Sequence, residues 1–187
     1  MAGLIALGIV AVVVAWAIVQ YNGLIRLRNQ VTNGWKQIDV QLKRRHDLIP
    51  NLVNTVKGIM EFEQETLQKV VEARSAAMGA RGAKDAAAKE GALTDALSKF
   101  FVVVEQYPQL RASENVSQLQ EELTSTENKI TFARQFYNDI ATSFNTAQQV
   151  FPANLVAGAF GFQPSELFEI TEAAERQVPS VDLSLKK

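Results

Sequence analysis

Apolar residues follow three patterns along this chain. The first is an unbroken run: MAGLIALGIVAVVVAWAIV, Met1 to Val19, carries no charged side chain, and the first charge is Arg26. About 20 apolar residues suffice to cross the hydrocarbon of a bilayer. The run therefore predicts a transmembrane helix, with Trp16 and Tyr21 as interfacial anchors. The second pattern is a seam of alternating three- and four-residue steps. It passes through Val31, Trp35, Ile38, Leu42, Arg45, Ile49, Leu52 and Val56, and continues to Val70 with one missed step at Thr66. The same spacing joins Leu93, Leu97, Phe100, Val104 and Tyr107, and again Val116, Leu123, Ile130, Tyr137 and Phe144 with the positions between them. A period near 3.5 is that of long helices lying side by side at shallow angles. The third pattern is a charge-free stretch from Ile140 to Ser165, broken by Pro152, Gly158 and Gly161. It is too polar and too interrupted to span a bilayer. It predicts either a buried connection or an apolar patch for lipid or a partner, centred on Phe151, Leu155, Phe160 and Phe162.

Strand alternation bounded by turn pairs is absent from the sequence. The expected fold class is all-α: an N-terminal transmembrane helix followed by a long-helix antiparallel four-helix bundle. The first bundle helix is expected from Leu24 to about Ala77. A second follows the Gly79–Gly82 turn and stops before Pro108. The third is expected over Ser113 to Val150. A fourth would begin after Pro164, with Ser165 as its N-cap, Leu167, Ile170 and Ala174 inward, and Glu172 paired with Arg176. The resulting division is 1–20 transmembrane helix, 21–49 basic membrane-proximal helix or stalk, 50–178 bundle and 179–187 tail. The first helix is about twice as long as the second, so it either folds back at Pro50 or stands as a stalk beneath the bundle. The stalk is the favoured reading. On a stalk, Trp35, Ile38 and Leu42 would be exposed in a monomer, which predicts an oligomer seam. Small-xxx-small pairs in the span, Ala2 with Ala6 and Ala11 with Ala15, point to the same homo-oligomer.

Charge refines this picture. The formal net charge is −1, but six of the 19 basic residues lie between Arg26 and Arg45 with only Asp39 opposing them. A basic neck on an acidic body argues against nucleic acid as a partner. Arg26, Arg28 and Lys36 follow the span closely and nothing basic precedes it. The positive-inside rule then puts the body in the cytoplasm, with the chain a single-pass protein of the cell membrane. The lack of Lys or Arg ahead of the apolar run also disfavours a cleaved signal peptide, although Ala15-Trp16-Ala17 offers a small-x-small cleavage pattern. There is no cysteine, which removes disulfides, thiolate metal sites and cysteine nucleophiles together.

The densest chemistry lies in LKRRHDLIP, Leu42 to Pro50. Lys43, Arg44, Arg45, His46, Asp47 and Pro50 are the candidates for a partner contact or a structural joint. On a straight helix Lys43 stands about 35 Å beyond Gln20, and charges are screened within about 8 Å at physiological salt. These cations are therefore out of reach of headgroups, whereas Arg26 and Arg28 are within it. Arg45 falls on the apolar seam and needs a partner, from a glutamate of the third helix or from a neighbouring subunit. Pro50 predicts a kink near Arg45 to Leu48. Catalytic signatures are missing. The single histidine has no Glu three residues before it, and no G-x-S-x-G, H-E-x-x-H or Walker spacing occurs. Glu61 and Glu65 share a face that could hold a loose divalent ion, but such pairs are usually solvated surface. No enzyme activity, cofactor or metal is expected.

Five segments together resemble the LemA family: YNGLIRLRNQV at Tyr21–Val31, WKQIDVQLKRRHDLIPNLVNTVKG at Trp35–Gly58, EQYPQLRASENVSQLQEELTSTENKI at Glu105–Ile130, ARQFYNDIATSFN at Ala133–Asn145 and FGFQPSELF at Phe160–Phe168. The resemblance implies a bacterial membrane-anchored protein with an antiparallel helical bundle and no catalytic motif. A relative takes part in shaping magnetosome membranes, so the resemblance implies membrane organisation as a role. The resulting expectation is a non-enzymatic, oligomeric scaffold for membrane or partner proteins. The alternative is a membrane-anchored sensor or adaptor that binds a ligand or a partner enzyme between its helices.

Overall fold

The computed structural model describes residues 1–60 and 63–169, and every regular element among them is a helix. α1 runs unbroken from Ala2 to Val56, through Pro50. It is followed by α2 (Gln64–Met78), α3 (Gly82–Val104), the single turn α4 (Pro108–Arg111), α5 (Glu114–Gln149) and α6 (Ala153–Ala159). The start of α1 is long and apolar enough to cross a membrane, and its apolar window is not buried by the described residues.

α1 and α5 form the main pair. Leu24 clusters with Ala147, Gly34 meets Tyr137 and Arg45 meets Glu127, so the two helices are antiparallel. At 1.5 Å per residue, α5 is about 54 Å long and the stretch Leu24–Val56 about 50 Å. α5 therefore lies along all of α1 beyond the apolar run. The two helices pack closely at Gly34, where a Cβ would stand 3.4 Å from the Tyr137 Cα, in van der Waals contact.

Two contiguous cores result. In one, Ile49, Leu52 and Val56 of α1 meet Val70 of α2, Leu93 and Phe100 of α3 and Val116 and Leu123 of α5. In the other, Val31, Ile38 and Leu42 of α1 meet Ile130, Tyr137 and Phe144 of α5, with Ala83, Ala86 and Ala87 admitting the start of α3. Each fully buried large side chain contributes about 1.5–3 kcal/mol. The three- and four-step seams read from the sequence are thus the buried faces of α1 and α5.

Three expectations need correction. Residues 21–49 are not a bare stalk, because α5 covers them. The long first helix of the sequence reading is two helices: the chain leaves α1 after Val56 and re-enters helix at Gln64. That break lets α2 and α3 pair through the Gly79–Gly82 turn and leaves α5 free to run down α1. For the same reason Trp35, Ile38 and Leu42 are not an open seam between copies. Ile38 and Leu42 are buried inside one chain, and Trp35 is half-buried against Tyr137 and Phe168.

The third correction concerns the expected last helix. Residues 162–169 form no helix, and Ser165 is not an N-cap. Its N–H donates to the Asn145 Oδ1 at 2.7 Å, and its carbonyl accepts from the Asn145 Nδ2 at 2.9 Å. Phe168 makes the same pair of bonds with Asn138, at 2.8 and 3.1 Å. Seven helical residues rise about 10.5 Å, and three extended residues span about 10 Å. Two asparagines seven apart on α5 therefore match backbone groups three apart on an extended strap. Tyr137 adds a hydrogen bond from its hydroxyl to the Glu166 carbonyl at 2.7 Å. Burial, with the Glu166 charge nearby, pushes that hydroxyl above its ordinary pKa of 10.0, so it remains a donor. Glu61, Ile170, Glu172, Ala174, Arg176 and the 179–187 tail lie outside the described residues.

Candidate functional site

Pro50 organises the centre of the molecule. Proline has no N–H, so the carbonyl four residues earlier loses its helical donor. That carbonyl belongs to His46, and the Arg74 Nε of α2 donates to it at 2.7 Å. A guanidinium thus replaces the missing backbone amide and ties α2 to α1. The expected joint at Leu42–Pro50 is a cross-helix clasp.

Around it lies an ion-pair network. Arg45, only 3 % exposed, forms an ion pair through Nη1 with Glu127 of α5 at 2.9 Å, and donates from Nη1 to Glu90 of α3 at 3.4 Å and from Nη2 to the Thr94 hydroxyl at 2.8 Å. His46 shares the Glu90 carboxyl group: its Nε2 lies 2.7 Å from Glu90 Oε1. Breaking a buried pair by deleting one member costs about 3–5 kcal/mol, because the other charge is stranded. The expected glutamate partner for Arg45 on the helix of residues 113–150 is Glu127. Sequence reasoning missed Glu90, which sits in an alanine-rich tract without seam signal, and Arg74, whose role depends on the proline 24 residues earlier. The rest of the basic run is exposed. Arg44 makes a surface pair with Glu122 at 3.5 Å, a contact worth little; Lys43 and Asp47 face solvent.

Chemically this centre is closed. Thr94 Oγ1 donates to the Glu90 carbonyl at 3.1 Å while accepting from Arg45, and the two Glu90 carboxyl oxygens face Arg45 and His46. Beside it a cleft of about 620 Å³ opens between α3 and α5, with Arg45, Glu90 and Glu127 in its wall and Asp95, Arg134 and Asp139 further along it. Arg134 stacks on the Phe168 ring at 4.7 Å. Among the described residues no three His, Asp or Glu are grouped to hold a metal.

Among the described residues, two groups of exposed apolar side chains flank α1 beyond the apolar run, at different heights along it. One is the patch expected from the sequence. Phe151, Leu155 and Phe160 are exposed around α6, and Phe162 is half-buried. α6 turns Val156 and Ala157 inward against Leu24, with Trp16, Ala17 and Tyr21 alongside. The Phe160 and Phe162 rings lie 4.7 and 5.8 Å from Tyr21, and exposed Arg28 sits over Phe162 at 5.6 Å. Arg26 is exposed on the same turns. The other face was not foreseen. Val40 of α1 and Phe132 of α5 are 62 % and 72 % exposed, and with Phe136 they line a groove of about 590 Å³ flanked by Lys36 and Lys129. Phe132 and Phe136, an i,i+4 apolar pair off the α5 seam, are the signal that marks it in the sequence.

Comparison with known proteins places this geometry. The model of the LemA family matches residues 34–183, which takes in the clasp, both cores and the strap. The chain belongs to the LemA family. It is 29 % identical to Protein LemA of Metamycoplasma hominis over 163 residues, 87 % of this chain and 74 % of that protein. It is 23 % identical to Magnetosome protein MamQ 2 of Paramagnetospirillum magneticum over 191 residues, 88 % of this chain and 70 % of that one. Magnetosome protein MamQ of Magnetospirillum gryphiswaldense is 22 % identical, with 86 % and 69 % covered. This LemA-family chain is thus a membrane-associated helical protein. Its long apolar run and the Arg45–His46 centre share one continuous helix.

Proposed function

We propose that this protein is a non-enzymatic, single-pass scaffold of the bacterial inner membrane whose cytoplasmic four-helix bundle associates with further copies to organise membrane or partner proteins. The observation that carries the reading is the Val40–Phe132–Phe136 face. Val40 is 20 residues beyond Gln20, about 30 Å along the helix axis, so lipid does not reach it and only protein covers it. Copies held by their anchors share one plane and one orientation, which raises their effective concentration for lateral contact. Exposed apolar faces of this kind mark association sites. The interlocked charges of Arg45, Glu90 and Glu127 favour a rigid body over a reactive one. The assembly also accounts for the small residues of the span, which permit close helix approach. The test uses the natural absence of cysteine. Phe132→Cys, oxidised in native membranes, is expected to form a covalent dimer, whereas Ser98→Cys on the exposed side of α3 is not. Equal and negligible cross-linking at both positions overturns the reading.

A second reading, a membrane-anchored sensor or adaptor, is favoured by the mixed-charge cleft between α3 and α5. A rise in unfolding temperature of the full chain on titration with a free amino acid, whose two charges match that lining, would support it.

A further inference from the structure

We propose that α6 and its flanking turns, Val150–Phe160, form a collar that lies in the membrane interface beside the anchor and inserts Phe151, Leu155 and Phe160 among the lipids. The inference rests on the membrane-anchor reading and goes beyond it by giving the soluble-looking part of the chain its own lipid contact. Position is the first argument. Met1–Val19 measures about 28 Å as a helix, close to the hydrocarbon thickness of about 30 Å, so Trp16 and Tyr21 mark its edge. α6 packs on those two residues and Leu24 through Val156 and Ala157. Its opposite side, with Leu155 and Phe160 60 % and 63 % exposed, is therefore held at headgroup level by the anchor itself.

Charge is the second argument. No charged side chain occurs from Ile140 to Ser165, so nothing in the collar resists entry. Arg26 and Arg28 follow on the water side, where they meet anionic headgroups. Backbone satisfaction is the third, since an unpaired amide at that depth is costly. Asn154, Leu155, Phe160, Gly161 and Phe162 all donate their N–H groups to carbonyls between Val150 and Gly158, at 2.9–3.3 Å. The segment can leave water without stranding these donors. Amphipathic elements buried at this boundary bind by apolar area plus attraction to anionic lipid. The Val40–Phe132 face is too distant for the same occupant.

The experiment places one nitroxide at a time on the full chain, at Leu155→Cys, Phe151→Cys, Val10→Cys or Lys43→Cys, in vesicles containing one-third anionic lipid. Accessibility to oxygen and to a water-soluble nickel chelate is then compared. Oxygen exceeding nickel at 151 and 155, as at 10 and unlike at 43, is the expected result. Nickel exceeding oxygen at 151 and 155, with 10 still in lipid, overturns the collar and leaves the anchor standing. Exclusion of both probes at 151 and 155 means that protein covers the patch, and also overturns it. Nickel access at 10 removes the anchor reading and the collar together. Circular dichroism on each labelled chain checks the fold, which Leu155 and Phe151, lying outside the cores, are not expected to disturb.

Discussion

The clasp at Pro50 makes a quantitative prediction about Arg74. The guanidinium donates to a carbonyl that lacks its usual helical donor, because residue 50 cannot supply one. A hydrogen bond from a charged group contributes about 1.5–3 kcal/mol. Arg74→Met keeps most of the aliphatic stem and removes the donor, so it should cost about 2 kcal/mol. Pro50→Ala restores an N–H four residues after His46, which re-forms the ordinary helical bond. In that background Arg74→Met should cost under about 1 kcal/mol, a coupling of about 1–2 kcal/mol where unrelated sites add within about 0.3–0.5. The assay is a double-mutant cycle from urea unfolding of the full chain in detergent, followed by circular dichroism. Additive costs would refute the reasoning: Arg74 would then stabilise through packing or net charge, and the His46 carbonyl would not be its target.

Other consequences follow from the same contacts. Glu90→Ala leaves Arg45 with Glu127 as its remaining acid and removes the carboxylate beside His46, so it should cost about 1.5–3 kcal/mol; Glu90→Leu with Arg45→Met should cost less than the sum of the single changes in the same unfolding assay. Asn138→Ala and Asn145→Ala should each release one end of the strap, read as faster hydrogen exchange of the Phe168 and Ser165 amides by about tenfold or more, since each loses about 1–2 kcal/mol of bonding. Asp85 bonds the Lys89 ammonium and the Arg81 N–H, which hold its carboxyl below the ordinary 3.8. Its stabilising effect is complete above that value and lost as the pH falls through the lowered one, so Asp85→Ala should be less stable than the native chain at neutral pH, and the difference should shrink as the pH falls below 3.8.

Much of this fold is legible in residue spacing. The α5 seam and the Ser113 start follow from hydrophobic period, and the Gly79–Gly82 turn from composition. Arg45 declares a need for an acid by interrupting an apolar seam. What escapes spacing is of two kinds. The break after Val56 leaves the three- and four-step pattern almost intact, with only Gly58 and the missed step at Thr66 to mark it. Once that break is overlooked, the first helix is too long and a stalk looks necessary. The strap, the Arg74 clasp and Glu90 depend on side chains bonding to partners 20 to 45 residues away, and such bonds leave no period. Ser165 shows the cost: a good N-cap residue after a proline is spent on Asn145 instead of on a helix.

The claim at the centre of this account is that the anchored chain works as an assembly through the Val40–Phe132 face. The most direct measurement is the mass of the full-length protein extracted from membranes with its surrounding lipid, for the native chain and for Phe132→Asp. A whole-number multiple of the 20.6 kDa chain for the native protein, collapsing to one copy in the variant, is the predicted result. A single copy in the native protein would contradict it.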